Sequence, residues 1–157
     1  MILLLGLDGA TFDLLNPWFA QGALPHLARL KNQGSAGILQ STLPPVTAPA
    51  WASFLTGKHP HHHGVLDYFA GRAGEYRMIS GNDIRGQTVW DILSAYGKTV
   101  GVLNVPMTYP PRAVNGFLIP GLPTPDSGQT HPAGFLTPYE RELGPYAPFP
   151  KVVYQAG

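Results

Sequence analysis

Apolar residues along the chain form short runs, separated by segments in which they recur at helical spacing. The first run, 1–7, leads directly into Asp8-Gly9. Helices cover both faces of a central parallel strand, so a nearly unbroken apolar run is typical of such a strand, here followed by a turn. Segments 37–41 and 99–105 predict two further strands, the second of them buried.

The residues between these strands predict three helices, over 12–19 with a kink near Pro17, over 25–32 and over 88–96. The polar, glycine-rich residues 71–86 predict a hairpin. Strands that alternate with helices favour an α/β fold with a doubly wound, mostly parallel sheet.

Prolines and glycines dominate the chain from Pro106 onward, a composition typical of a cap loop or a linker. One more helix is predicted there. Thr137-Pro138 and Glu140 have the spacing of a capping box with proline at the first helical position.

The segment from Leu43 to Gly57 places one hydroxyl, that of Thr47, at the start of a predicted helix. Pro49 lies in the first turn, where a missing N–H costs no hydrogen bond, and Gly57 is predicted to end the helix as a left-handed cap. Three residues form its predicted apolar face: Trp51, Phe54 and Leu55.

A helix start attracts anions and can stabilise an alkoxide, because its first N–H groups and its dipole are positive. Thr47 is therefore a candidate nucleophile. The alternative is that Thr47 only caps the helix, which is the commoner role of threonine at this position.

Asp8 follows the first predicted strand, at the edge where open α/β sheets bind their ligands. A carboxylate there is a natural ligand for a hard divalent cation. The alternative is a turn residue before Gly9, the usual role of an isolated Asp-Gly pair.

Taken in order, six segments resemble the alkaline phosphatase superfamily, and more closely its type I phosphodiesterase and nucleotide pyrophosphatase branch. They are Gly6 to Thr11, Leu24 to Leu30, Pro45 to Gly57, His63-Gly64, Thr88 to Asp91 and Gly101 to Pro106. The resemblance implies a division into 1–125, the N-terminal part of a phosphodiesterase-like catalytic domain, and 126–157, a cap or linker segment.

The resemblance also implies roles for matching residues. Asp8 corresponds to a metal ligand, and Thr47 to a nucleophile that also contacts the metal. The implied protein is a metal-dependent phosphoester hydrolase, acting on a small-molecule phosphodiester through a phosphothreonine. Two divalent ions are expected, zinc first and manganese as the alternative.

Two features depart from the family pattern. Tyr68 stands where the branch has an asparagine that holds a phosphoryl oxygen, so Tyr68 and Asn104 are the candidate substrate contacts. The family's remaining Asp and His ligands lie further downstream. We therefore expect an N-terminal fragment that lacks most of the metal site, completed by a C-terminal segment or by another copy of the chain.

Composition narrows the class of protein. Only 12% of the residues are charged, against roughly 25% in average domains, which suggests a surface covered by further protein. The net charge is +1 without a basic cluster, which argues against nucleic-acid binding. Cysteine is absent, and no run approaches the roughly 18 apolar residues of a membrane span. The default location is cytoplasmic.

The four histidines at 59 and 61–63 suggest a metal cluster, but histidines so close in sequence point in divergent directions. The resemblance makes His63 a residue that orders its loop. Other functions stay open: a phosphomutase or phosphotransferase of the same superfamily, or a binding module that keeps the fold without catalysis. A sulfatase is disfavoured because position 47 is a threonine.

Overall fold

The computed structural model describes residues 1–72, 74–124 and 129–148. The chain divides into two compact units, Met1–Ser41 and Thr42–Gly157. The predicted boundary between 125 and 126 lies outside the described residues. No helix in the described part of the chain has the length and apolar character needed to cross a membrane.

The first unit contains two helices, α1 over Phe12–Ala20 and α2 over Pro25–Gln33. Both were predicted from the sequence, and Pro17 lies inside α1 as expected. Lys31 of α2 links them: its Nζ donates to Asn16 Oδ1 at 2.9 Å and lies 5.2 Å from the ring centres of both Phe12 and Phe19.

The predictions of strands over 1–7 and 37–41 are wrong, because none of residues 1–41 is in a strand. The apolar side chains of 2–5 are more than half exposed. A strand needs a hydrogen-bonded neighbour, and a run that is apolar on both faces needs cover on both. Neither is available within 1–41.

The second unit begins with two packed helices, α3 over Thr47–Thr56 and α4 over Pro60–His63. A hairpin, β1 over Phe69–Arg72 and β2 over Glu75–Met78, follows and confirms the prediction for 71–86 in outline. The remaining elements are a 3-10 helix over Gly81–Asp83, α5 over Val89–Ala95, β3 over Val100–Val105, β4 over Gly116–Pro120 and α6 over Thr137–Leu143.

The strands form two small sheets. β1 and β2 are antiparallel, whereas β3 and β4 are parallel, with Val100 opposite Gly116 and a register shift between Leu103 and Val105. Helix and strand with a parallel pair agree with an incomplete α/β domain. The doubly wound sheet that the sequence predicted is not confirmed.

The core of this unit collects apolar side chains from α3, α5, β3 and β4 and from the loops between elements. Its largest members are Leu55, Ile79, Ile84, Trp90, Met107 and Leu118. Strand β3 contributes only Val102 as a buried residue, so the prediction that the whole of this strand is buried is wrong. Strand β4, by contrast, is buried over its last three residues, Leu118 to Pro120.

Two local predictions need correction. Helix α6 exists, but its N-cap is Leu136 and no side chain caps it, because Glu140 Oε1 instead accepts the N–H of Tyr146 at 3.0 Å. The buried face of α3 consists of Ala48, Pro49, Ala52 and Leu55. Trp51 and Phe54 lie outside that face and pack edge to face with ring centres 5.5 Å apart.

Candidate active site

Helix α3 begins at Thr47, and the residue before it, Val46, is the N-cap in an extended conformation with φ −118° and ψ 158°. The alternative that Thr47 is the N-cap is therefore wrong. The first turn contains Pro49, which has no N–H, and Ala50 N–H is bonded to Val46 O at 3.2 Å. Thr47 accordingly lies at the positive end of a ten-residue helix.

The other end of α3 is fixed as the sequence predicted. Gly57 adopts the left-handed conformation, φ 65° and ψ 20°, and its N–H bonds to Ser53 O at 2.8 Å. Thr56 Oγ1 also donates back to Ala52 O at 2.7 Å. With Ala48 and Ala52 fully buried, the helix that carries Thr47 is anchored along its length.

Asp8 is exposed and lies in a turn, followed by Gly9 at φ 68°. The N–H of Ala10 bonds to Leu7 O at 3.4 Å and closes this turn, and the N–H of Thr11 bonds to Gly9 O at 3.0 Å just before α1. Asp8 belongs to the first unit and Thr47 to the second. Among the described residues, no group of three or more His, Asp or Glu side chains is arranged to hold a metal ion.

The two candidate substrate contacts differ in environment. Tyr68 is partly buried against the core, and its backbone carbonyl accepts the N–H of Ile79 at 2.9 Å. Asn104 is exposed at the carboxyl end of β3 and takes the left-handed conformation, φ 53°. Its Nδ2 donates to Pro148 O at 3.3 Å.

The backbone around Asn104 is closely packed. Gly121 approaches so nearly that a Cβ there would lie 2.7 Å from the Asn104 carbonyl oxygen. Thr108 Oγ1 donates to Val105 O at 2.6 Å and accepts the N–H of Gly121 at 3.1 Å. These contacts fix the turn that follows β3 and hold Asn104 in its uncommon conformation.

The histidines separate into two groups. His59, His61 and His62 are exposed, with the rings of His61 and His62 3.9 Å apart between centres. His63 is instead fully buried. Val65 N–H donates to His63 Nδ1 at 3.2 Å, and His63 Nε2 lies 2.9 Å from Ser53 Oγ.

Burial lowers the pKa of His63, since a charged imidazolium would lose its hydration, and nearby His61 lowers it further. A hydrogen-bonding contact with the Pro49 backbone carbonyl acts in the opposite direction. His63 is therefore held as a neutral ring in the interior.

Ser53 is the residue of this region that the sequence did not single out. It lies four residues after Pro49, hence on the same side of α3. The sequence signal for the Ser53–His63 pair was a serine at this spacing from Pro49, followed by a histidine at the end of the next short helix.

In a comparison with family models, residues 2–156 match the model of the type I phosphodiesterase / nucleotide pyrophosphatase family. Comparison with curated proteins and with solved structures returned no match.

Proposed function

Because the chain belongs to the type I phosphodiesterase / nucleotide pyrophosphatase family, we propose that it is a metal-dependent phosphoester hydrolase with Thr47 as its nucleophile. The expected substrate is a small-molecule phosphodiester. The observation that supports this role most directly is the position of Thr47 as the first residue of α3, after an extended N-cap residue.

The chemistry required of Thr47 follows from that position. Its Oγ attacks phosphorus and gives up its proton to water, and the bond from phosphorus to one ester oxygen breaks, so that one alcohol departs. Thr47 then carries the phosphoryl group with the substrate's second ester still attached, and water hydrolyses this intermediate to a monoester and restores the hydroxyl. Negative charge accumulates on the phosphoryl oxygens during this step. The positive end of α3 favours that charge at this place.

The family generally depends on divalent metal ions. Oxygen donors such as the Asp8 carboxylate and the Thr47 hydroxyl suit a divalent cation, and these two residues would be its ligands in this chain. When bound, a divalent ion would lower the pKa of the hydroxyl and offset phosphate charge. Zinc is the first candidate and manganese the second.

Two ligand groups are fewer than the three protein ligands of a usual catalytic zinc site. We therefore propose that further ligands, from a downstream segment or from another copy of the chain, complete the site. The isolated 157 residues should hold metal weakly and turn over a diester slowly or not at all.

Tyr68 and Asn104 complete the proposal as substrate contacts. The exposed Asn104 carboxamide offers donors to a phosphoryl oxygen, and the Tyr68 phenol can donate one hydrogen bond. An Asn104→Ala variant should raise KM more than it lowers kcat.

The nucleophile is tested by measuring hydrolysis of a chromogenic phosphodiester. The assay uses the chain together with the segment or the second copy that completes its metal site. Thr47→Ala should lose about 10³-fold or more in kcat, and Thr47→Ser should keep measurable activity. Thr56→Ala is the matched control, because it removes another threonine hydroxyl from the same helix, at the far end. Full activity of Thr47→Ala would contradict the proposal.

The role of Asp8 is tested separately by metal binding. Asp8→Asn keeps the size of the side chain and removes its charge, so metal affinity and turnover should fall together. Asp13→Asn is a control, being another acidic residue, in the first turn of α1. Unchanged metal affinity in Asp8→Asn would leave Asp8 as a turn residue only.

A further inference from the structure

The buried imidazole of His63 has its tautomer fixed by its contacts. Val65 N–H donates to Nδ1 at 3.2 Å, so Nδ1 must carry a lone pair. In a neutral ring the proton then sits on Nε2. Nε2 lies 2.9 Å from Ser53 Oγ, so the histidine donates and the serine oxygen accepts.

This polarity excludes one catalytic use of the pair. A histidine that activates a serine must accept the hydroxyl proton, whereas His63 Nε2 already carries a proton. The ring is also fully buried. Ser53 and His63 are therefore not a hydrolytic dyad, and the pair needs another explanation.

The contact of His63 on α3 lies one turn from the part that carries Thr47. Its ring bonds Ser53 in the second turn, and Ser53 lies one turn beyond Pro49 on the same side of the helix. Pro49 lies two residues after Thr47 and has no N–H to contribute to the helix. A side chain that holds the second turn from outside can therefore limit how far the first turn moves.

We infer that His63 is a positioning residue for Thr47. The neutral ring, protonated on Nε2, ties the second turn of α3 at Ser53 to the end of α4 and so steadies the preceding turn, which carries the Thr47 hydroxyl. The catalytic part of this inference rests on the proposed function, in which Thr47 is the nucleophile.

Two substitutions of His63 each keep one of the two hydrogen bonds of the ring and remove the other. In His63→Asn the side-chain oxygen can accept the Val65 N–H, but the side chain is too short to reach Ser53. In His63→Gln the amide nitrogen takes the place of Nε2 and can donate to Ser53, while the acceptor for Val65 is lost. A purely structural residue of the loop would make no such distinction.

The first experiment is hydrogen exchange on the full 157-residue chain, which requires no activity. The reporter is the Ala50 amide in the first turn, and the reference is the Ile92 amide of α5, which bonds to Thr88 O at 3.1 Å and does not involve Ser53. His63→Asn should speed Ala50 exchange about tenfold or more while Ile92 changes less than twofold. His63→Gln should leave both amides near the wild-type rate.

The second experiment measures kcat and KM for diester hydrolysis. It uses the chain together with the segment or the second copy that completes its metal site. His63→Asn should lower kcat about tenfold or more with KM within twofold, because the substrate still binds but meets a displaced hydroxyl. His63→Gln should restore kcat to within a few fold. Ser53→Ala, which removes the acceptor on α3, should give a smaller loss of kcat.

The outcomes distinguish this inference from the proposed function. If Thr47→Ala is inactive while His63→Asn has wild-type kcat and wild-type Ala50 exchange, the inference fails alone. It also fails if both His63 variants lose activity equally and both amides exchange faster by the same factor. If Thr47→Ala keeps full turnover, the proposed function fails, and the catalytic part of the inference fails too. The exchange data then decide whether His63 orders the first turn of α3.

Discussion

Thr47 and Thr88 both lie at helix starts, but their positions relative to the helix differ by one residue. Thr88 is the N-cap of α5: its Oγ1 accepts the N–H of Asp91 at 3.3 Å, and Asp91 Oδ2 accepts the N–H of Thr88 at 2.7 Å. Thr47 is the first helical residue of α3, and the N-cap is Val46.

The two threonines also differ in burial. Thr88 is only 4% exposed, and its hydroxyl serves a reciprocal capping box inside the core. Thr47 is partly exposed, at a helix start where no N-cap side chain accepts a hydrogen bond. The same residue type therefore stabilises the fold at one helix start, whereas at the other we propose that it reacts.

The largest expected effect is on turnover, and it should separate the two threonines. Thr88→Ala, assayed at a temperature where it is fully folded, should keep kcat within about twofold of wild type, against the loss of about 10³-fold or more expected for Thr47→Ala. Chromogenic diester hydrolysis measures both. Equal losses would mean that the two positions do not differ in function.

Unfolding stability should show the reverse order. Thr88→Ala removes an N-cap and half of a capping box, which typically costs about 1 kcal/mol and up to about 2. Thr47→Ala should cost less stability than Thr88→Ala, because Val46 remains the N-cap of α3. Urea denaturation of the two variants, followed by circular dichroism, gives both values.

A smaller effect is expected at the 3-10 helix over Gly81–Asp83, whose start has a capping box like that of α5. Asp83 closes a capping box with Ser80 and forms an ion pair with Arg77, whose hydrogen bonds are the main cause that lowers the pKa of Asp83 to about 2. The Arg77 side chain is 62% exposed, so solvent screening limits the contribution of Asp83 to about 1 kcal/mol or less.

The pH dependence of that contribution has a defined sign. A lowered pKa in the folded state means that the stabilisation is complete above the unfolded value near 3.8 and is lost as the pH falls toward about 2. Asp83→Asn should therefore be less stable than wild type at pH 7, with the difference disappearing by about pH 2. A difference that stays constant with pH would show that the charge of Asp83 does not contribute.

The sequence predicted helices better than strands, and the reason is local chemistry. Thr88 with Asp91, Pro25, Gly57 and Gly97 mark helix ends through bonds within one turn, so nearby residues suffice to place them. A strand depends on a partner elsewhere. The apolar run 1–7 has the composition of a central strand, but residues 1–41 supply no strand to pair with it.

The candidate site was predictable to the extent that it is local. The approach to α3 and the glycine after it placed Thr47 at a helix start, although the one-residue difference between N-cap and first helical position needed the structure. The Ser53–His63 contact joins residues ten apart across a chain reversal. The sequence did not indicate which ring nitrogen of His63 would face Ser53.

The central claim is that Thr47 forms a covalent phosphoester with the substrate during turnover, and rapid acid quenching during diester hydrolysis tests it most directly. Peptide mass spectrometry of the quenched protein should find, on Thr47, a phosphoryl group that retains one ester substituent of the substrate, with none on Thr88 and none in the Thr47→Ala variant. Steady turnover with unmodified Thr47, under conditions in which a threonine phosphodiester standard survives, would contradict the account, because water would then attack phosphorus without a protein nucleophile.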